Sequence, residues 1–240
     1  MTIHGSLFQE FREKETQDPF SLQNKKLLRV DMRYGEVMAK AGSMVAYQGD
    51  VRFTKQSSGL SRMFKSAVTG EGVTLMTCTG QGDLFLAEDA TEVQIMYLQE
   101  DAISVNGNNV LAFSSSIQWD IHRIQARGAA MTGGLYNVSL RGTGYVAITT
   151  KGDPVALDVA SSPTFADAQA VVMWTAGVHM DVRVDTGGIG SMIRGGTGEL
   201  LQMAFTGQGY VLVQPSESVA PGGHQQQGGG SGGMLGGLLN

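Results

Sequence analysis

The sequence predicts an all-β fold made of internally repeated sandwich or roll units, and three observations carry that expectation. Glycine is frequent, with 34 residues against 5 prolines. Outside the C-terminal tail it falls singly or as Gly-x-Gly between apolar runs, where tight turns between short strands need positive φ. Apolar and β-branched residues form runs of four to eight bounded by Gly, Asp or Asn, which is how strands read. One pattern, Gly-x-Gly leading into alternating apolar residues, occurs three times along the chain.

The N-terminal segment, 1–27, is polar. Glu10, Arg12, Glu13, Lys14, Glu15 and Asp18 lie within it and no apolar core region does, so it does not read as a signal peptide. The repeated units then span 28–91, 92–152 and 153–214. Gly80-Gln81-Gly82, Gly142-Thr143-Gly144 and Gly207-Gln208-Gly209 recur at nearly equal intervals, from Gly80 to Gly142 and from Gly142 to Gly207. Each is followed by an apolar run: Leu84 to Ala87, Tyr145 to Ile148 and Tyr210 to Val213. A second motif keeps step with the first. Met44-Val45-Ala46-Tyr47, Val110-Leu111-Ala112-Phe113 and Val171-Val172-Met173-Trp174 follow one another at almost the same interval.

Within this frame each Gly-x-Gly element reads as a hairpin tip, and Asn106-Gly107-Asn108-Asn109 as a hairpin turn. Further turns are expected at Gly35-Glu36, Gly42-Ser43 and Gly49-Asp50. A short helical insertion is expected over Ser58–Val68, where Leu60, Met63, Phe64 and Ala67 follow helical spacing with Arg62 and Lys65 between them. Ile189, Met192 and Ile193 with Arg194 echo it in the third unit. The stretch 215–240 is Gly- and Gln-rich and ends in Met234 and Leu235, then Leu238 and Leu239. This composition cannot bury enough surface to fold alone and is expected to be a disordered tail.

These hairpins, the Gly42-to-Tyr47 element and the Gly/Leu tail resemble the AIM24-like (DUF124) family over roughly residues 25–214. The resemblance implies a fold similar to the tryptophan RNA-binding attenuation protein, with β units repeated in one chain and often assembled into rings. It also implies wide occurrence in bacteria, and a fungal member that is mitochondrial and linked to inner-membrane organisation. No catalytic motif comes with the family, so the resemblance brings no active-site residues. The second and third units depart from the Gly70-Glu71-Gly72 of the first, with Gly133-Gly134-Leu135-Tyr136 and Gly196-Thr197-Gly198-Glu199.

Chemistry-bearing residues are sparse. His4, His122, His179 and His224 are dispersed without a second ligand at useful spacing, and one cysteine cannot complete a zinc set, so no metal or other cofactor is expected. His179 and Asp181 share one strand face, with a solvated face as the ordinary reading. Cys78 has no basic neighbour in sequence to lower its pKa and reads as a buried thiol. A lone cysteine and the lack of an apolar leader fit a cytoplasmic protein, whether or not it works at a membrane surface. Ser114-Ser115-Ser116 lacks a nucleophile elbow. Glu88-Asp89 and Glu100-Asp101 fall in expected turns. The Gly-x-Gly loops precede strands, not the helix N-termini that hold phosphate.

The net charge of −5 disfavours nucleic acid as partner. Arg62, Lys65, Arg123 and Arg194 nonetheless recur near one edge of each unit and form the candidate RNA-binding set. They are few, and a mixed surface is the plainer reading. The apolar set Leu60, Met63, Phe64, Ile189, Met192 and Ile193 is the candidate docking surface for a protein or membrane partner, with local core as its plainer reading. The expectation is a non-enzymatic, homo-oligomeric scaffold that recruits such a partner through these loops and the tail. The alternatives are a ligand- or RNA-binding module with a repeated basic rim and, last, an enzyme.

Overall fold

The computed structural model describes residues 5–55, 73–124, 136–184 and 201–216. The expected helical insertion at Ser58–Val68 and its echo at Ile189–Arg194 lie outside them, as does the tail from 217 onward. A single helical turn, α1 (Leu7–Glu10), precedes the strands. The first group is β1 (Phe20–Asn24), β2 (Leu27–Asp31), β3 (Val37–Lys40), β4 (Met44–Lys55) and β5 (Leu75–Leu86). The second is β6 (Glu92–Asn106), β7 (Val110–Ser114), β8 (Gln118–Arg123) and β9 (Tyr136–Thr150). The third is β10 (Val155–Asp158), β11 (Thr164–Asp167), β12 (Val171–Thr175), β13 (Val178–Val184), β14 (Leu201–Gly207) and β15 (Tyr210–Val213). The protein is all-β, and each pairing described between these strands is antiparallel.

The same pairing recurs in each group. Ala46 and Tyr47 face Phe85 and Leu84; Ala112 and Phe113 face Ala147 and Val146; Met173 and Trp174 face Leu212 and Val211. Each ladder shifts register at one place in the second motif, between Met44 and Ala46, Val110 and Ala112, and Val171 and Met173. Val45, Leu111 and Val172 are therefore equivalent bulge residues, each an extra residue that re-aims its side chain.

The Gly-x-Gly elements are not hairpin tips. Gly80 and Gly82 lie inside β5, Gly142 and Gly144 inside β9, and Gly207 and Gly209 mark the break between β14 and β15. Each of these six glycines has positive φ, from +108° to +157°. The chain bends there and changes partners. Leu75–Cys78 of β5 pair with β3 while Asp83–Leu86 pair with β2. Glycine is required because the paired strand is close: a Cβ on Gly82 would lie 1.9 Å from the Gln48 carbonyl oxygen of β4. Such mid-strand glycines mark bends, and at Gly207 and Gly209 the bend separates β14 of the three-stranded sheet from β15 of the twelve-stranded one.

Three further turn expectations need correction. Gly49-Asp50 is not a turn, since β4 continues through it with Gly49, itself at φ +94°, opposite Gly82. Glu100-Asp101 is a bulge inside β6, with Glu100 at φ +53°. Asn106 to Asn109 do turn, as one turn of 3-10 helix with the Asn106 side chain accepting from the Asn108 N–H. They do not close a hairpin, because β6 and β7 each pair with β9. Glu88-Asp89 lies in a turn, with Asp89 and Ala90 at positive φ.

The apolar interior divides into three clusters that interlock along the chain. The first holds Leu28, Cys78, Leu84 and Leu86 together with Leu111 and Ala112 from β7. The second holds Val105, Phe113, Leu140 and Ile148 together with Val172 and Met173 from β12. The third holds Val159, Trp174, Met203, Phe205 and Val211. Each later group thus inserts its bulge residue into the core of the group before it.

Candidate functional site

The internal junctions are strand pairings. β3 joins β7 with Met38 opposite Phe113 and Ala39 opposite Ala112. β6 joins β12 with Ser104 opposite Trp174 and Val105 opposite Met173. In both, the strand carrying the second motif is sealed: Val110, Leu111, Phe113, Val171 and Val172 are fully buried. The equivalent residues of β4 are open to solvent, with Met44 39% exposed, Val45 60% and Tyr47 48%. Among the described residues β4 pairs only with β5, and β11 only with β14. Among the described residues, then, the β4 edge at Met44–Gln48 lacks the second strand that covers its equivalents in β7 and β12.

Other strand edges differ in kind. Among the described residues no second strand pairs with the outer edges of β4 beyond Gly49, of β8 or of β13. They carry exposed charge at Asp50 and Arg52, at Asp120 and Arg123, and at Asp181. Charged edges of this sort resist pairing with another chain. Met44 to Gln48 carries none.

A cavity of about 380 Å³ opens where the three groups meet, lined by Lys40, Glu88, Asn109, Thr149, Gln169 and Gln214 among others. Its walls are a polar network. Buried Gln214 accepts from the Lys151 N–H at 3.0 Å and from the Asn109 amide at 3.4 Å, and donates to the Gln169 carbonyl at 3.3 Å. Asn109 also donates to the Thr149 carbonyl at 2.7 Å. Lys40 is ion-paired with Glu88, whose second carboxylate oxygen is buried without a hydrogen-bond partner. The carboxamides bond mainly to one another and to backbone, and so tie the third group to the second. Among the described residues no cluster of three His, Cys, Asp or Glu side chains has metal-binding geometry.

A second charged cluster sits beside the first core. Buried Arg29 meets Asp83 at 2.6 Å and Asp31 at 3.7 Å, and Asp31 is gripped by Arg33 at 2.5 Å. The Arg33 side-chain hydrogen bonds hold the Asp31 carboxyl below the ordinary carboxylate range, outweighing the opposing effect of burial. Cys78 is buried in the first core, and desolvation pushes its thiol up to about 11, the setting of an inert thiol.

Of the residues singled out from sequence, Leu60, Met63, Phe64, Ile189, Met192 and Ile193 lie outside the described residues, as do Arg62, Lys65 and Arg194. Arg123 is exposed at the end of β8, opposite Tyr136. His122 lies 3.9 Å from Asp120 on that strand's solvent side, and His179 and Asp181 are both exposed on β13. The β4 edge was not among the candidates. The repeated motif that marks it is visible in sequence, but its exposure in one copy is not.

Antiparallel strand groups that share sheets and interlocking cores define the all-β class of this protein. A family model described as "Mitochondrial biogenesis AIM24" matches residues 20–216, and the chain belongs to that family. No curated protein matches the chain. Among solved structures it is similar to protein SPYM3_0169 from Streptococcus pyogenes, at 24% identity and a TM-score of 0.66. That match covers 82% of this chain and 92% of the other, and shows the shared fold. Among the described residues no helix is long and apolar enough to cross a membrane.

Proposed function

We propose that this chain is a non-enzymatic structural protein that associates with copies of itself and recruits a protein or membrane-associated partner from the cytoplasmic side. One observation carries the reading. The motif Met44-Val45-Ala46-Tyr47 is solvent-exposed on β4, while its two equivalents are buried in junctions between strand groups. An uncharged apolar strand edge of this kind is a template for pairing with another chain. Self-association would multiply weak contacts made by the Leu60 and Met192 segments and the tail into useful avidity.

The test is the native mass of the full chain by light scattering at micromolar concentration. A discrete multimer of the 25.4 kDa chain supports the reading. A monomer refutes it.

A further inference from the structure

We propose that the cavity where the three strand groups meet binds a small neutral polyhydroxy compound of monosaccharide size. Its volume of about 380 Å³ lies at the lower end of the range of about 300–1,000 Å³ usual for small-molecule sites. Such sites are lined mostly by apolar groups. Here every described lining residue is polar, and the charges of Lys40 and Lys151 balance those of Glu88 and Asp89.

The repeated fold does not demand this polarity, because the chain builds the same turn without it. Leu86, Ile148 and Val213 stand at the same offset after the first glycine of their Gly-x-Gly elements, and they face Met44, Val110 and Val171. The residues one step beyond each pair are therefore equivalent: Ala87, Thr149 and Gln214 on one side, Ser43, Asn109 and Ala170 on the other. In the first and third groups one backbone bond closes the turn, from the Ala87 N–H to the Ser43 carbonyl and from the Gln214 N–H to the Ala170 carbonyl, each at 2.9 Å. The first group makes it with small side chains. Asn109 and Gln214 instead place carboxamides there, 7% and 6% exposed, and a buried carboxamide is costly unless hydrogen bonds answer it. Their presence is a property of this cavity, not of the repeat.

The hydrogen-bonding capacity left over sets the chemistry of the ligand. Asn108 and Gln169 contribute only backbone atoms to the hydrogen bonds among the described residues. Their side-chain carboxamides each keep donors and an acceptor in hand. Glu88 has a second carboxylate oxygen without a donor. A hydroxyl donates and accepts through one atom, so a compound bearing several of them answers such a mixed wall and supplies the donor that Glu88 lacks. The balanced charges leave nothing to offset a phosphate or a carboxylate. No described lining residue is aromatic, so a nucleobase finds no ring to stack on.

The experiment titrates the full-length chain with glucose, mannose, ribose and myo-inositol, and with glucose 6-phosphate as a charged counterpart, and reads binding by saturation-transfer nuclear magnetic resonance. The expected result is saturable binding of at least one neutral probe in the millimolar range, with glucose 6-phosphate bound no more tightly than glucose. Glu88→Gln and Gln169→Ala should each weaken the neutral probe about tenfold, the effect of one or two lost ligand hydrogen bonds, with an unchanged far-ultraviolet circular dichroism spectrum. Gln169→Ala removes no hydrogen bond made among the described residues, so it tests the site even if Glu88→Gln disturbs the ion pair with Lys40.

No saturable binding of any of the four neutral probes overturns the proposal. Tighter binding of glucose 6-phosphate than of glucose overturns the neutral class in favour of an anion. Neutral binding that both variants leave unchanged lies elsewhere on the protein and overturns the assignment to this cavity. Each of these results is separate from the native mass, so self-association stands or falls independently.

Discussion

Gly82→Ala and Gly142→Ala place the same methyl group in two of the Gly-x-Gly bends, at the second glycine of one and the first of the other, and the structure predicts different costs. Both backbones have positive φ, +137° and +126°, in a region tolerated essentially only by glycine, so each variant carries roughly 1–3 kcal/mol of strain. At Gly142 the nearest atom to the new Cβ is the Ser116 carbonyl oxygen at 3.5 Å, an ordinary contact. At Gly82 the Gln48 carbonyl oxygen stands at 1.9 Å and the Gly49 Cα at 3.0 Å. Both are backbone, so β4 and β5 must move apart to admit the methyl. Losing two ladder hydrogen bonds in that movement costs roughly 0.5–1.5 kcal/mol each. Gly82→Ala should therefore be about 2 kcal/mol less stable than Gly142→Ala. At a urea dependence of about 2 kcal/mol per molar, the midpoints differ by about 1 M. Urea titration followed by circular dichroism reads this gap. Coincident midpoints would refute the close mid-strand approach of β4 to Gly82 and restore the hairpin-tip reading.

Three other outcomes follow from the packing. Because Asp31 has a lowered pKa in the folded state, its stabilising effect is complete above the unfolded carboxylate value of about 3.9 and is lost as pH falls through the folded value. Asp31→Asn should thus flatten the decline in stability below about pH 4, as measured by urea titrations across that range; an unchanged acid slope would contradict it. Cys78, buried and with its thiol pushed up to about 11, should react with an aromatic disulfide reagent under mildly alkaline conditions only as fast as the first core opens. Immediate stoichiometric labelling of the native protein would exclude that packing. Gln214→Ala removes the acceptor of the Lys151 N–H and a donor to the Gln169 carbonyl. About 1–3 kcal/mol of stability should be lost, with the third core's Trp174 fluorescence shifting at lower denaturant than in the parent chain.

How far the site was legible in sequence depends on which partner each residue needs. The Met44, Val110 and Val171 motifs are recognisable as equivalents because each must satisfy the same bulged ladder with the strand of its own group. Burial of Phe113 and Trp174 against exposure of Tyr47 could not be read there, because each depends on whether a strand from another group lies alongside. The apolar and basic loop candidates stood on spacing alone, and among them the described structure places only Arg123.

The sequence by itself determined the strand class and the repeat of its motifs, because alternation and glycine punctuation act over short stretches and set which face of a strand is apolar. It also determined that glycine must stand at Gly80 and Gly82, since positive φ is a local demand. Only the tertiary structure decided that these glycines bend a continuous strand instead of closing a hairpin, and that β4 continues through Gly49-Asp50 alongside them. A turn and a mid-strand bend ask the same of φ, and the difference lies in a paired strand from elsewhere in the chain, β4 against β5.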